Sequence, residues 1–301
     1  RDYYGLDISK QYVAFTGKRS MLQHTLDRVE RLIPPERILT VVNPDHISEI
    51  QIQLSGRPSG TLIFQPYNRE TAPGILLPLI HIFRRDPDAR IAIFPSDHFI
   101  LEEERFMHYI ESGDRMIQEF PDQTILLGIR PDGPETEYGW IEPAEPIKGI
   151  SNPGLRRVGR FLEKPDPLSA NKFYEDGCLW NTFVILTKAK TLIKMAIEYL
   201  PGIWMNFERI LAAIGTNREY LIVEREYRYM EEATLSHGIL EKDSADISVI
   251  EMEGVFWSDW GSGERVLETL ERIGSLPIRL SEKINLLSNP YAVPAWNEAA
   301  L

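Results

Sequence analysis

ARIAIFPSDHFI, residues 89–100, runs from an almost unbroken apolar segment through Pro95 into Ser96, Asp97 and His98. Apolar character without polar alternation over so few residues is what a strand covered on both faces requires, so ARIAIF reads as a central parallel strand. In open α/β sheets ligands bind beyond the carboxyl ends of strands, and the Asp97 carboxylate falls just past such an end. Ser and Asp after a strand also serve simply to turn the chain, through an Asx turn or a helix cap, and this stretch alone does not separate the two uses.

Working outward, strands alternate with amphipathic helices. In RSMLQHTLDRVERLI the apolar Leu22, Leu26, Val29 and Ile33 recur at helical spacing, and Ser20 with Gln23 fits a capping box. RILTVV and TLIFQP read as short strands, and TAPGILLPLIHIF as a helix capped by Thr71 with Pro73 in its first turn. EERFMHYIESGDRMIQEF places Phe106, Ile110, Met116, Ile117 and Phe120 on one helical side, and TILLGI follows as a strand. Such alternation predicts an α/β fold, a doubly wound, mostly parallel sheet flanked by helices.

The chain has 301 residues, of which 43% are hydrophobic and 26% charged, enough for one large α/β domain. A formal net charge of -12 opposes a general grip on phosphate backbones, so nucleic acid is not an expected partner. Anionic small substrates would need local cations or metal. The single cysteine, Cys178, cannot form an internal disulfide, no apolar run is long enough to span a bilayer, and RDYYGLDISK lacks the apolar core of a signal peptide. Together these predict a cytoplasmic protein with no membrane partner.

The second half offers Asp97 a partner. GVFWSDWGSGERVLETLERI sets Ser258, Asp259 and Gly261 between a hydrophobic stretch and a helix carrying Val266, Leu267, Leu270 and Ile273. Two aspartates at strand ends suit Mg²⁺, which takes one or two carboxylates and fills its remaining positions with water and phosphate oxygens. Asp259 could equally cap the helix that follows it. In between, Glu163, Lys164 and Pro165 end a short strand, and the proline stops the ladder. A lysine there can meet a phosphate and the carboxylate can accept from sugar hydroxyls, or the two form a solvated surface pair. Asn181, beside Trp180 in an apolar run, needs partners from backbone or ligand.

Several separated stretches resemble one family, the sugar-1-phosphate nucleotidylyltransferases, and within it most closely the mannose-1-phosphate guanylyltransferases. They are KQY with GKRSMLQHTLDR, then RETAPG, FPSDH, ETEYGWIE, FLEKPD, LWN and WSDWGS, in the family's order across nearly the whole chain. The resemblance implies a Rossmann-like nucleotidyltransferase fold. It also implies transfer of a nucleotidyl group from a nucleoside triphosphate, GTP favoured, to a sugar 1-phosphate, mannose 1-phosphate favoured, giving an NDP-sugar such as GDP-mannose and pyrophosphate. It implies catalytic roles for Lys10, Asp97 and Asp259, with Asp97 and Asp259 holding Mg²⁺, and nucleotide contacts from Arg69, Glu70, Thr71, Pro95 and Ser96. Gly139, Glu163, Lys164 and Asn181 would meet the sugar phosphate. A relative using another base or sugar, or a non-catalytic nucleotide-sugar sensor, is the alternative.

The chain also departs from the family pattern. The resemblance places an opening strand and a glycine-rich, arginine-containing loop of roughly 20 residues ahead of Lys10, and the sequence begins without them, so the chain as it stands is expected to be a poor catalyst. Thr182 and Phe183 stand where the family has Ser and Gly, and Ser236 and His237 stand before Glu241 and Lys242 where the family has an Asp-Tyr pair. The expected organisation is a nucleotidyltransferase domain over 1–280, with a nucleotide half to about residue 150 and a sugar-phosphate half after it. A tail over 281–301 packs on the domain or on the partner subunit of a homodimer.

Overall fold

Ser20 and Gln23 form the predicted reciprocal box. The Ser20 amide donates to Gln23 Oε1 at 3.1 Å, and the Gln23 amide donates to Ser20 Oγ at 3.3 Å. This starts the first helix of a computed structural model that describes residues 8–147, 154–242 and 246–274. In chain order the elements are α1 (Met21–Val29), β1 (Thr40–Val42), α2 (Ile47–Gln53), β2 (Leu62–Phe64), α3 (Thr71–Arg85), β3 (Arg90–Ile93), β4 (Phe99–Ile100), α4 (Glu103–Glu119), β5 (Thr124–Ile129) and β6 (Gly139–Pro146). They continue with β7 (Leu155–Glu163), α5 (Pro167–Glu175), β8 (Leu179–Lys188), α6 (Ala189–Tyr199), α7 (Pro201–Ala213), α8 (Glu219–Tyr229), β9 (Ile247–Glu251), β10 (Trp257–Ser258) and α9 (Gly263–Arg272). The tail over 281–301, and most of the linker near residue 150, lie outside the described residues.

The chain divides into two compact units. One comprises Arg1–Asp27, Ser96–Ile100 and Trp257–Leu301; the other comprises Arg28–Pro95 and Leu101–Phe256. The larger unit holds a six-stranded sheet in the order β3-β8-β5-β9-β7-β6. Its core gathers Leu76, Leu77 and Ile80 of α3, Leu192 and Ala196 of α6, and Phe207 and Ile210 of α7 with Leu126, Ile185 and Val249 of the strands. Burying these helix stripes against the sheet is the layered solution expected of an α/β chain.

The sheet is mixed rather than mostly parallel. β5 runs parallel to β9, whereas β8 runs antiparallel to β3, β5 and β6, and β7 antiparallel to β6 and β9. β3 is therefore not the central parallel strand read from ARIAIF. It stands at one end of the order, paired with β8, and Ile91 to Ile93 are only half-buried. The strand covered throughout is β5, TILLGI, all of whose residues are buried between β8 and β9. An apolar run reports what covers its faces, not the direction of its neighbour. The parallel pair β1 and β2 forms a separate two-stranded sheet.

Thr71 is not the cap of α3 but its first residue. Glu70 is the cap, in the left-handed region at φ 68°, and Thr71 Oγ1 instead accepts from the Leu235 amide at 2.9 Å. Cys178 is buried, and burial pushes its thiol up to about 12. No helix among the described residues is long and apolar enough to cross a membrane.

Candidate active site

The smaller unit is built on a two-stranded antiparallel ladder that pairs Phe99 with Ser258 and Ile100 with Trp257. That register sends Asp97, two residues before Phe99, and Asp259, one residue after Ser258, out of the same end of the ladder. Lys10 connects them. Its ammonium lies 2.9 Å from Asp97 Oδ2 and donates to the Asp259 carbonyl oxygen at 2.6 Å. The three residues expected to carry the chemistry are thus brought together.

Burial pushes the Asp97 carboxyl up, but the neighbouring His98 and Lys10, with the hydrogen bond from Lys10, hold it below the usual carboxylate range. His98 Nδ1 lies 3.2 Å from the Trp257 indole nitrogen, which donates to it, and Nε2, on the other side of the ring, lies 3.9 Å from Asp97 Oδ1.

Two groups hold the Asp259 carboxylate. The Gly261 amide donates to its Oδ1 at 2.9 Å, and Arg265 Nη1 reaches Oδ1 at 3.0 Å and Oδ2 at 3.2 Å. Asp259 does not cap α9; Ser262 does, accepting from the Arg265 amide. Arg265 escaped the sequence reading, although its place six residues beyond Asp259, in the first turn of the next helix, is the available signal. Between them Trp260 sits at φ 49° with its ring fully buried, stacked on Phe99 and edge-on to Phe15.

Two carboxylates offering hard oxygen donors, one of them kept ionised, fit Mg²⁺ by donor chemistry. Each carboxylate has about four lone-pair sites, so Lys10 on Asp97 and Arg265 on Asp259 do not exhaust them. No group of three or more acidic, His or Cys ligands gathers among the described residues.

In the larger unit, Gly139 and Glu163 face each other across the β6–β7 ladder. A Cβ on Gly139 would lie 2.7 Å from Glu163 Oε2, 3.0 Å from Phe161 Cζ and 3.4 Å from Asn181 Cβ. The glycine is what lets the Glu163 carboxylate lie beside Asn181. Gly139→Ala is accordingly expected to lose about 1–3 kcal/mol in urea unfolding, as overpacked sites do. A wild-type midpoint would refute the tight approach. Burial pushes the Glu163 carboxyl up, against a hydrogen bond from Ser236 and the charges of Lys164 and His237.

Asn181 is buried, and its Oδ1 accepts from the Phe183 amide at 3.1 Å. The register between β5 and β8 shifts there, Leu126 opposing Ile185 but Gly128 opposing Asn181. The extra residues bulge out of β8, with Phe183 at φ 59°. Phe183 thus occupies a conformation that favours glycine, and its ring packs against the core. Lys164, at φ 45°, is exposed and 3.8 Å from Glu137.

The predicted nucleotide residues divide. Arg69 donates to the Tyr227 and Arg228 carbonyls at 2.8 and 2.7 Å, closing the C-terminus of α8. Glu70 is exposed and lines an open cavity of about 540 Å³ with Leu200, Pro201, Glu231, Glu232 and His237. Pro95 and Ser96 are half-buried, in the link from β3 to Asp97.

A family profile described as nucleotidyl transferase matches residues 5–274. Mannose-1-phosphate guanylyltransferase of Escherichia coli strain K12 is 28% identical over 272 residues, covering 86% of this chain and 54% of its own. The xanthan biosynthesis protein XanB of Xanthomonas campestris pv. campestris strain B100 is 25% identical over 288 residues, covering 94% and 59%. The chain therefore spans little more than half the length of these relatives. A crystal structure from Thermus thermophilus, described as a mannose-1-phosphate geranyltransferase, is similar at a TM-score of 0.72 and 27% identity, covering 86% of this chain and 70% of that one. The Helicobacter pylori protein described as mannose-6-phosphate isomerase shares the fold at a TM-score of 0.67 and 20% identity, covering 83% and 94%.

Proposed function

Because the chain belongs to the nucleotidyl transferase family, we propose that it transfers a nucleotidyl group to a sugar 1-phosphate, with GTP and mannose 1-phosphate as substrates. A phosphate oxygen of the sugar phosphate attacks the α-phosphorus, the bond from that phosphorus to the bridging oxygen breaks, and pyrophosphate leaves. In-line displacement of this kind needs positioning and charge neutralisation more than covalent chemistry. The observation that carries the proposal is Lys10, whose ammonium ties the Asp97 carboxylate to the Asp259 backbone. The names of the guanylyltransferase relatives supply the choice of base and sugar.

Within the smaller unit, Lys10 is assigned to the phosphates, and Asp97 and Asp259 are the residues that would hold Mg²⁺. When bound, that cation neutralises charge at the α-phosphate and helps align the attacking group. Arg265 keeps the Asp259 carboxylate oriented, and His98 does the same for the turn of Asp97. Within the larger unit, Glu163 and Asn181 are assigned to sugar hydroxyls and Lys164 to the sugar phosphate. Full-length protein given GTP, mannose 1-phosphate and Mg²⁺ should form GDP-mannose and pyrophosphate in equal amounts. Absence of pyrophosphate across the four common ribonucleoside triphosphates and a panel of sugar 1-phosphates would refute the proposal.

A further inference from the structure

The segment Ser236 to Glu241, whose Ser236 and His237 depart from the family pattern, closes around Glu163. Ser236–Leu240 forms a π-helical turn, in which the Glu241 amide donates to the Ser236 carbonyl at 2.9 Å. The five-residue step sets Glu241 above Ser236; an α-turn would set the buried Leu240 there. Glu241 then uses both carboxylate oxygens. Its Oε1 accepts from the Glu163 amide at 2.8 Å, and its Oε2 lies 2.9 Å from His237 Nδ1. The His237 amide in turn donates to Thr234 Oγ1 at 3.2 Å. The buried Ser236 donates its hydroxyl to the Glu163 carboxylate. One turn therefore grips Glu163 twice, at its backbone through Glu241 and at its side chain through Ser236. On the other side, the absence of a side chain on Gly139 leaves the room that the Glu163 carboxylate occupies.

We propose that Ser236, His237 and Glu241 form a positioning set that aims the Glu163 carboxylate at the hydroxyls of a sugar 1-phosphate, so that this turn sets affinity for the sugar. This rests on the reading of Glu163 as a sugar-binding residue. A carboxylate can accept from two neighbouring hydroxyls only if its plane is fixed, and a buried carboxylate left unheld loses both its partner and its aim. None of the three need touch the α-phosphorus, so their loss acts on sugar binding rather than on the chemical step.

The test varies each substrate in steady-state assays of the full chain and measures mannose 1-phosphate binding by calorimetry. Ser236→Ala and Glu241→Ala should each raise KM and Kd for mannose 1-phosphate about tenfold or more, with kcat and the KM for GTP within about threefold of the parent. Glu241→Gln, which still accepts from the Glu163 amide and donates to the His237 ring, should restore most of the affinity. Variants that lose kcat, or that weaken GTP and sugar equally, or a Glu241→Gln no better than Glu241→Ala, overturn the proposal. A parent that binds mannose 1-phosphate without turnover sinks the catalytic reading while the binding comparison still decides this one. A parent that does neither sinks both.

Discussion

Asp97→Asn should lower turnover about a thousandfold, roughly 4 kcal/mol of transition-state stabilisation, in a chain that remains folded. Asparagine keeps the shape and one acceptor but removes the charge. That charge is held in place: the carboxylate would be raised by burial, and His98 and Lys10 instead keep it ionised. With it goes the partner that fixes the Lys10 ammonium at 2.9 Å, and the oxygen pair suited to a hard cation. The fold survives because Lys10 retains the Asp259 carbonyl at 2.6 Å and the pairing of Phe99 with Ser258 does not involve the side chain. The depressed carboxyl also predicts a sign. Its stabilising contribution is present above the unfolded value and is lost as pH falls through the folded one, so the variant's stability should vary less with pH on the acid side. Turnover within tenfold of the parent, at an unchanged melting temperature, would contradict the assignment.

How far such roles could be read beforehand depended on whether they are local. The Ser20–Gln23 box and the buried stripe Phe106, Ile110 and Ile117 of α4 follow from spacing alone, because partners within one turn settle them. The strand direction did not follow. ARIAIF and TILLGI are alike in composition, and only long-range pairing with β8 and β9 decides which lies inside the sheet. β8 itself pairs with three strands, and no property of LWNTFVILTK announces that.

The site shows the same division. Asp97 and Asp259 were visible as carboxylates after apolar runs, but their link through Lys10 spans 249 residues of sequence and needed the family pattern to be suspected. Ser236 and His237 were hidden for the opposite reason. They depart from that pattern, and their use arises from a π-turn that spacing rules for α-helices would not produce. Arg69 was named from the family pattern alone, and its bonds to the Tyr227 and Arg228 carbonyls at the end of α8, 158 and 159 residues further along the chain, follow from no spacing rule.

Trp260→Ala should be the most damaging core change, with a loss of about 3–5 kcal/mol to the unit that contains it. The buried cluster there is Met21, Trp260 and Val266, with Phe15, Phe99 and Leu270 packed around it, so the indole is its largest member. Its ring lies 4.9 Å from that of Phe99, nearly parallel at 7°, and 4.9 Å from that of Phe15 at 84°, geometries that add to the burial itself. The packing also enforces a backbone that tryptophan otherwise avoids, φ 49°. A residue held there costs of order 1–3 kcal/mol and persists only when its surroundings over-determine it. Alanine keeps the strain and discards what offsets it. The turn carrying Asp259 and Gly261 then relaxes, and the Gly261 amide no longer holds Asp259 Oδ1. Hydrogen exchange should therefore accelerate over residues 8–27 and 257–274 while β5 and β9 stay protected, and turnover should fall with the local order. Trp260→Phe, which keeps a ring between Phe15 and Phe99, should lose less. Parental exchange rates in Trp260→Ala would mean that the turn is held by its hydrogen bonds to Arg265 and Gly261 and not by the buried indole.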